Sequence, residues 1–116
     1  MDHPLYDYYK KAVQKYGMLL EHIDIQTDEL CMLAIQQNPS AFKFVRNQTD
    51  EICKLAIELC TPNFAFVKNK TPDLCKMAVQ KWGGNLQFVP KEQRTMELIK
   101  LALDQDIMAI IYINRD

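Results

Sequence analysis

The fold is decided by Thr49–Lys70, which reads TDEICKLAIELCTPNFAFVKNK and is one copy of a repeat that fills the chain. Four repeats open on a threonine, and successive threonines are 22, 22 and 24 residues apart. These are Thr27, Thr49, Thr71 and Thr95. An alanine follows each threonine by seven residues, and an aromatic–aliphatic pair such as Phe66-Val67 closes each repeat. Such a period indicates a stack of similar structural units, and an atypical first repeat from about Leu5 brings their number to five.

Each repeat divides into two halves with different local preferences. Thr49 can accept a hydrogen bond from a backbone N–H of the first helical turn, and the two acidic residues after it suit the positive end of a helix dipole. The apolar residues of Ile52–Leu59 then form one face of an α-helix. Thr61-Pro62-Asn63 breaks this helix. Phe64–Asn69 is long enough only for a tight turn, for which a 3₁₀ helix is one candidate.

Neither half can bury its apolar residues alone, so the repeats must stack on one another. The sequence therefore predicts an all-α fold: a short α-solenoid of five repeats, each an α-helix followed by a short helix. Residues 1–116 are predicted to form one domain, with repeats that start near residues 5, 27, 49, 71 and 95. The recurrent alanine is expected where neighbouring helices approach most closely.

The pattern T-x-E-[LI]-C-x-x-A-[IV], followed by F-x-[FY]-V-x-N, resembles a family of short α-helical repeats of unknown function. That family is abundant in mimivirus-like giant DNA viruses of amoebae. The resemblance covers the chain from about Val13 to Asn114 and implies an origin in a giant virus or a viral mobile element. It assigns no functional residue, because the family has no established activity. The architecture is also similar to that of bacterial leucine-rich-variant repeats, a similarity of fold alone.

Composition and charge argue against several classes of protein. The formal net charge is −1, whereas a dedicated nucleic-acid binder is usually visibly basic. No run approaches the roughly 18 apolar residues of a membrane span, and the N-terminus lacks the basic and apolar segments of a signal peptide. We therefore expect an intracellular protein that is not secreted, in the host cytoplasm or in a viral particle if it is viral.

The four cysteines are predicted to be structural thiols. Cys31, Cys53 and Cys75 lie 22 residues apart, at one position of the repeat. Neighbouring stacked helices are about 8–10 Å apart. This is too wide for a disulfide, with its limit of about 7 Å between Cα atoms, and for a zinc site. Cys60 is out of phase with the others. Free thiols are typical of a reducing compartment, and no metal or cofactor is expected.

No group of residues predicts catalysis. His22 falls at the same repeat position as Phe44, Phe66 and Phe88, so its ring is expected to pack in the first repeat. A catalytic base needs a nucleophile or a carboxylate within reach, and the sequence gives no reason to place one there. A phosphate-binding glycine motif is also missing from the sequence. We therefore predict that the protein is not an enzyme.

The last repeat, Thr95–Asp116, ends in an apolar run where a solenoid usually ends in a polar surface. Ile111 stands where other repeats carry residues such as Lys43 or Ala65, and an uncovered apolar patch marks an interaction site. We predict that this repeat pairs with a second copy around a two-fold axis, the commonest oligomer symmetry. In the alternative, Ile111 folds back over the neighbouring helix. The candidate self-association residues are Ile107, Met108, Ile110, Ile111, Tyr112 and Ile113.

Three further features are candidate partner surfaces. Trp82, directly before Gly83-Gly84, could anchor a partner protein, or its ring could simply cover the glycine turn. A lysine recurs at one helical position and predicts a lysine stripe, which could meet an acidic protein segment or a nucleic-acid backbone, or could be solvated. This position holds Lys10, Lys54, Lys76 and Lys100, with Met32 interrupting the series, and the candidate partner residues are Lys54, Lys76 and Lys100. The tyrosine-rich first repeat is either an amphipathic cap of the stack or a binding patch.

The predicted function is protein–protein interaction or self-assembly through such a surface, with the partner protein unknown. The alternative is a nucleic-acid-associated protein that uses the lysine stripe, and its affinity would then fall steeply with salt concentration. The net charge close to zero favours the first of these two functions.

Overall fold

The computed structural model describes residues 3–114 and contains only helical elements in that range. These residues form two compact units, one ending at Phe66 and the other beginning at Val67. In each unit, α-helices of 10 residues alternate with shorter 3₁₀ helices, and successive α-helices contact each other. The predicted fold class, an all-α arrangement of helix-plus-short-helix repeats, is therefore confirmed.

The first unit holds three repeats and the second unit holds two. The α-helices are α1, Tyr6–Lys15; α2, Asp28–Gln37; α3, Asp50–Leu59; α4, Pro72–Lys81; and α5, Met96–Gln105. A six-residue 3₁₀ helix follows each of them: Gly17–His22, Pro39–Phe44, Thr61–Phe66, Gly83–Phe88 and Ile107–Tyr112. One more 3₁₀ helix, Lys91–Gln93, lies where the fourth repeat is two residues longer than the second and third.

The α-helices that follow a threonine begin as the sequence predicts. The threonine Oγ accepts a hydrogen bond from the backbone N–H three residues later, with N···O distances of 3.2–3.3 Å. The donors are Leu30, Ile52, Leu74 and Leu98. In the first repeat, Leu5 holds the corresponding position and makes no side-chain cap. The N-cap prediction is therefore confirmed for every repeat that opens on threonine.

The second half of each repeat is longer than predicted and begins earlier. In the third repeat the 3₁₀ helix starts at Thr61, so the Pro62-Asn63 pair that ends the α-helix already belongs to the next element. Proline suits the start of a helix because the first N–H groups there have no intrahelical acceptor. A 3₁₀ helix repeats every three residues, and in the second repeat Phe42 and Val45 are accordingly both buried.

The aromatic residue that closes each repeat lies outside the core, contrary to the sequence prediction. Phe64 is fully buried, whereas Phe66, two residues later, is 52% exposed. His22 occupies the closing position of the first repeat, and its side chain is exposed beside Glu21. The predicted packing of His22 is therefore wrong, because the buried phase of its 3₁₀ helix passes through Leu20 instead.

The cores of both units are built from repeat positions that hold similar residues in successive repeats, and we call each such position a column. The alanine column is fully buried at Ala34, Ala56, Ala78 and Ala102. A Cβ added to Gly17 would lie 2.3 Å from the Ala34 carbonyl oxygen. A Cβ added to Gly83 would lie 2.3 Å from the Ala102 carbonyl oxygen. The alanine column is thus a place of very close approach between repeats, as the sequence predicts.

Polar contacts accompany this close approach. The Gly17 N–H donates to Gln37 Oε1 of the next repeat at 2.6 Å. The Gly83 N–H donates to Gln105 Oε1 at the same distance. The second repeat has Pro39 in the glycine column, and because proline has no N–H it needs no such acceptor. The hydrogen bonding between two successive repeats therefore depends on which residue occupies the glycine column.

Candidate functional site

The clearest departure from the repeat pattern lies at the end of the last repeat. One column is fully buried in the first four repeats, at Leu20, Phe42, Phe64 and Leu86. Within a unit the next α-helix packs against the 3₁₀ helix that carries this column: α2 against Gly17–His22, and α5 against Gly83–Phe88. Ile110 holds the same column in the last repeat and is 60% exposed. Its side chain is therefore placed where a further repeat would pack.

Two more residues share this surface. Ile107 stands in the column of Gly17 and Gly83, which touch the next repeat, and it is 69% exposed. Leu103 is only half-buried. The other members of its column are fully buried: Val13, Ile35, Ile57 and Val79. We define Leu103, Ile107 and Ile110 as the C-terminal end face.

The other residues of the predicted self-association patch lie elsewhere. Met108 and Ile111 are exposed. The column of Ile111 is exposed in the first three repeats as well, so the exposure of Ile111 is a regular feature of the repeat and is not specific to the last one. Tyr112 and Ile113 are half-buried, and their carbonyl oxygens accept hydrogen bonds from Arg94 Nη1 at 2.9 and 3.4 Å. Ile111 is 48% exposed, and the alternative in which it folds back over the neighbouring helix stays a prediction.

Trp82 covers the glycine turn, in agreement with one of its two sequence interpretations. A Cβ added to Gly84 would lie only 2.2 Å from a Trp82 ring atom, so the ring packs directly on the glycine backbone. The indole is also 44% exposed, which leaves part of it accessible. Its role as an anchor for a partner protein stays a prediction.

The lysine stripe is exposed but partly neutralised by carboxylates. Lys54 Nζ lies 3.0 Å from Asp50 Oδ2 in the same helix. Lys76 Nζ lies 3.8 Å from Glu97 Oε1 in the next repeat. Lys100 makes no ion pair within residues 3–114. The carboxylates lower the positive potential along the stripe, which weakens the case for a nucleic-acid backbone as its partner.

The three in-phase cysteines are buried, as predicted, and their thiols lie near a polar group that sequence reasoning missed. Cys31 Sγ lies 3.9 Å from Gln26 Oε1, and Cys53 Sγ lies 4.0 Å from the Oε1 of Gln48. The signal for this contact is a glutamine five residues before the cysteine. Burial raises the pKa of the Cys31 and Cys75 thiols to about 11, because a thiolate would lose its hydration.

We expect the free energy of unfolding to fall as the pH rises through the window between the ordinary thiol pKa of 9.0 and about 11. There the unfolded thiols lose their protons while the buried ones keep them, which favours unfolding by about 1.4 kcal/mol per pH unit and per thiol. Below this window both states are protonated and the thiols add no pH dependence.

Denaturant unfolding at about pH 8 and about pH 10 checks this expectation. The loss of stability between the two pH values should be smaller in Cys31→Ala than in the wild type. An equal loss in both proteins would contradict the role of this buried thiol.

The remaining surface of residues 3–114 offers little chemistry. In that range no group of three or more His, Cys, Asp and Glu side chains could hold a metal ion, and the four cysteines are free. A groove of about 510 Å³ lies in the second unit, and its lining includes Asp73, Lys76 and Glu97. None of the helices described is long and apolar enough to span a membrane.

In a comparison with known protein families, one family model matches the first two repeats. Residues 6–49, from the start of α1 to the threonine that opens the third repeat, match the model of a domain of unknown function (DUF4116). That description gives no activity, so the match assigns none to this chain. No curated protein and no solved structure matches the chain.

Proposed function

We propose that this chain is a non-catalytic helical-repeat module that binds protein through its C-terminal end face, and that the bound protein is a second copy. The observation that carries the proposal is the exposure of Ile110. Its column is fully buried in four repeats, yet Ile110 is 60% exposed. Ile110 is thus an apolar side chain that the fold buries in the other repeats and that has no covering partner among residues 3–114.

The energetics of burial support association at the C-terminal end face. Burying one leucine or isoleucine side chain contributes about 1.5–3 kcal/mol relative to leaving it exposed. Leu103, Ile107 and Ile110 offer three such side chains on one surface. The lost translational and rotational freedom costs about 4–15 kcal/mol, so these residues support a weak and reversible association.

A second copy suits this surface better than a strongly charged partner. The C-terminal end face consists of leucine and isoleucine, which offer no specific contact to an acidic or basic segment. The formal net charge of the chain is only −1, so two copies repel each other weakly.

The mass in solution, measured by sedimentation over a wide range of protein concentration, tests the proposal. The wild type should associate as its concentration rises. Ile110→Lys should weaken this association roughly a hundredfold or more, because it places an unpaired charge in an apolar contact.

Ile111→Lys is the matched control. It introduces the same charge one residue later, in a column that is exposed in the first three repeats, and should associate like the wild type. A wild type that stays monomeric throughout would contradict the proposal, and so would an Ile110→Lys variant that associates as strongly as the wild type.

A further inference from the structure

The first repeat exposes apolar residues whose columns are buried in later repeats. Tyr8 is 68% exposed, although the other members of its column are buried: Leu30, Ile52, Leu74 and Leu98. Leu19 is also exposed, and the other members of its column are again buried: Ala41, Asn63, Asn85 and Ala109. We define Tyr8 and Leu19 as the N-terminal end face.

The two end faces correspond to the two surfaces that meet where one repeat packs on the next. Asn63, in the column of Leu19, donates from Nδ2 to the carbonyl oxygen of Pro39 in the preceding repeat at 2.9 Å. Asn63 therefore contacts the repeat before it as well as its own repeat, where its Nδ2 also donates to the Ala56 carbonyl oxygen at 3.0 Å. The 3₁₀ helix that carries the column of Ile110 packs against the α-helix of the repeat after it, α2 in the first unit and α5 in the second. Between repeats of one unit, surfaces of these two kinds meet each other.

We infer that copies of this chain associate head to tail, with the C-terminal end face of one copy packed on the N-terminal end face of the next. The inference rests on the proposed function and deepens it, because it names the surface that the second copy contributes. The contact between molecules then resembles the packing of the third repeat on the second, where Pro39 gives the glycine column a side chain as Ile107 does.

Charged residues at the two end faces match in the same way. Within the first unit, Lys10 Nζ lies 3.6 Å from Glu29 Oε2 of the next repeat. The second unit repeats this pairing between the lysine stripe and the acidic residue two places after the next threonine, with Lys76 and Glu97 3.8 Å apart.

The last repeat has the lysine of this pairing, and the first repeat has the acid. Lys100 is in the column of Lys10, and Asp7 is in the column of Glu29. Neither Lys100 nor Asp7 makes an ion pair within the part of the chain that the structure describes. Head-to-tail packing brings Lys100 of one copy close to Asp7 of the next, which adds a third ion pair of the kind that Lys10 forms with Glu29 and Lys76 forms with Glu97.

A two-fold contact between two C-terminal end faces is a poorer match. In a two-fold interface the same surface meets itself, so Lys100, whose column borders the next repeat, would lie near the Lys100 of the second copy and not near an acidic residue of its first repeat. Asp7, Tyr8 and Leu19 would all stay uncovered. The charges and the apolar columns therefore favour head-to-tail packing over the two-fold pairing that the sequence predicts.

One polar contact of the internal joints has no counterpart between copies. Lys15 stands in the column of Gln37 and Gln105, which accept the backbone N–H of a glycine in the preceding repeat. A lysine ammonium donates hydrogen bonds and cannot accept one. We therefore expect the joint between copies to be weaker than the joints within the chain, and reversible.

Two variants that each block one end face test the inference. Ile110→Lys blocks the C-terminal end face and Tyr8→Lys blocks the N-terminal end face. Both side chains are exposed, so both variants should fold, and circular dichroism checks that they do. Sedimentation then gives the mass of the wild type, of each variant alone and of their equimolar mixture.

Head-to-tail packing predicts a distinctive set of masses. The wild type forms species larger than a dimer, because a joint between two different surfaces leaves one of each surface free. Each variant alone is monomeric at the same concentrations. The mixture forms a 1:1 dimer that grows no further, because the Tyr8→Lys copy keeps its C-terminal end face and the Ile110→Lys copy keeps its N-terminal end face.

Other results overturn the inference and separate it from the proposed function. If Tyr8→Lys dimerises alone as strongly as the wild type, the contact is two-fold through the C-terminal end face, and the proposed function stands while the inference fails. A mixture that stays monomeric also overturns the inference. If the wild type is monomeric at every concentration, both fail.

An exchange of charges gives a milder second test. Lys100→Glu and Asp7→Lys should each weaken association roughly two- to fivefold, the effect of one exposed ion pair. The double variant should regain the wild-type association, because the two charges meet again with reversed signs. A double variant that binds no better than either single variant overturns the contact between Lys100 and Asp7.

Discussion

Phe64→Ala should lower the free energy of unfolding by about 3–5 kcal/mol, whereas Phe66→Ala should lower it by less than about 1 kcal/mol. The two substitutions remove the same ring from the same 3₁₀ helix, two residues apart. Phe64 is fully buried, so its loss leaves a cavity in the core, and Phe66 is 52% exposed. The difference between the two values therefore measures which face of the 3₁₀ helix packs.

Denaturant unfolding followed by circular dichroism gives both free energies. The far-ultraviolet spectra of the variants before unfolding should match that of the wild type, which shows that each variant starts from the helical fold. Equal losses of stability for the two variants would mean that the aromatic pair packs as a unit. A larger loss for Phe66→Ala would mean that the helix is rotated relative to the structure.

The α-helices and their spacing could be predicted because each depends on local signals. Threonine accepts the N–H three residues later at Thr49 and at its equivalents, and this needs no knowledge of the neighbouring repeats. The burial of Cys31, Cys53 and Cys75 followed from one shared position in the repeat. A repeated position has a repeated environment, so a pattern seen in several copies is stronger than the same pattern seen once.

The phase of the 3₁₀ helix could not be read from the sequence. Phe64 and Phe66 are equally apolar, and the choice between them depends on which face of the helix packs against the core. The Pro62-Asn63 pair predicts the end of the α-helix, but it is also the beginning of the next element. In a helix that repeats every three residues, two residues that are two places apart cannot both face the core. The burial of Phe64 therefore leaves Phe66 exposed, and the same phase leaves His22 exposed, which is why the prediction for His22 was wrong.

The candidate site was predicted in part, for a similar reason. The sequence drew attention to Ile111, because it differs from the residues at that position in other repeats. In the structure Ile110 differs most from the other members of its column, because it is 60% exposed and they are buried. The sequence does not show this difference, since every member of the column is apolar. No element of residues 3–114 covers Ile110, and comparison with the burial of Leu20 and Leu86 makes its exposure stand out.

The match between the two end faces needed three-dimensional neighbours. Leu19 reads as an ordinary core residue, and the sequence gives no sign that its side chain is exposed. Asp7 and Lys100 lie at opposite ends of the sequence. Their complementarity becomes visible only through the Lys10–Glu29 contact, which shows which lysine column meets which acidic column.

Gly83→Ala should lower the free energy of unfolding by about 2–4 kcal/mol, whereas Gly84→Ala, one residue later, should change it by less than about 1 kcal/mol. The new Cβ at Gly83 would lie 2.3 Å from the Ala102 carbonyl oxygen, and a backbone atom of a packed helix cannot move aside cheaply. The shift would also stretch the hydrogen bond from the Gly83 N–H to Gln105 Oε1. At Gly84 the obstacle is the Trp82 ring, an exposed side chain that can swing outward.

Fluorescence separates the two effects because Trp82 is the only tryptophan of the chain. Gly84→Ala should alter the emission of the native protein by displacing the indole, and should leave the unfolding midpoint close to that of the wild type. Gly83→Ala should lower the midpoint and leave the native emission nearly unchanged. Neither glycine has a positive φ, so an alanine fits the backbone conformation at both positions and the comparison is steric. If Gly84→Ala proves the costlier substitution, the Trp82 ring rather than the Ala102 carbonyl is the rigid partner, and the close approach at the alanine column does not limit which residue can stand at Gly83.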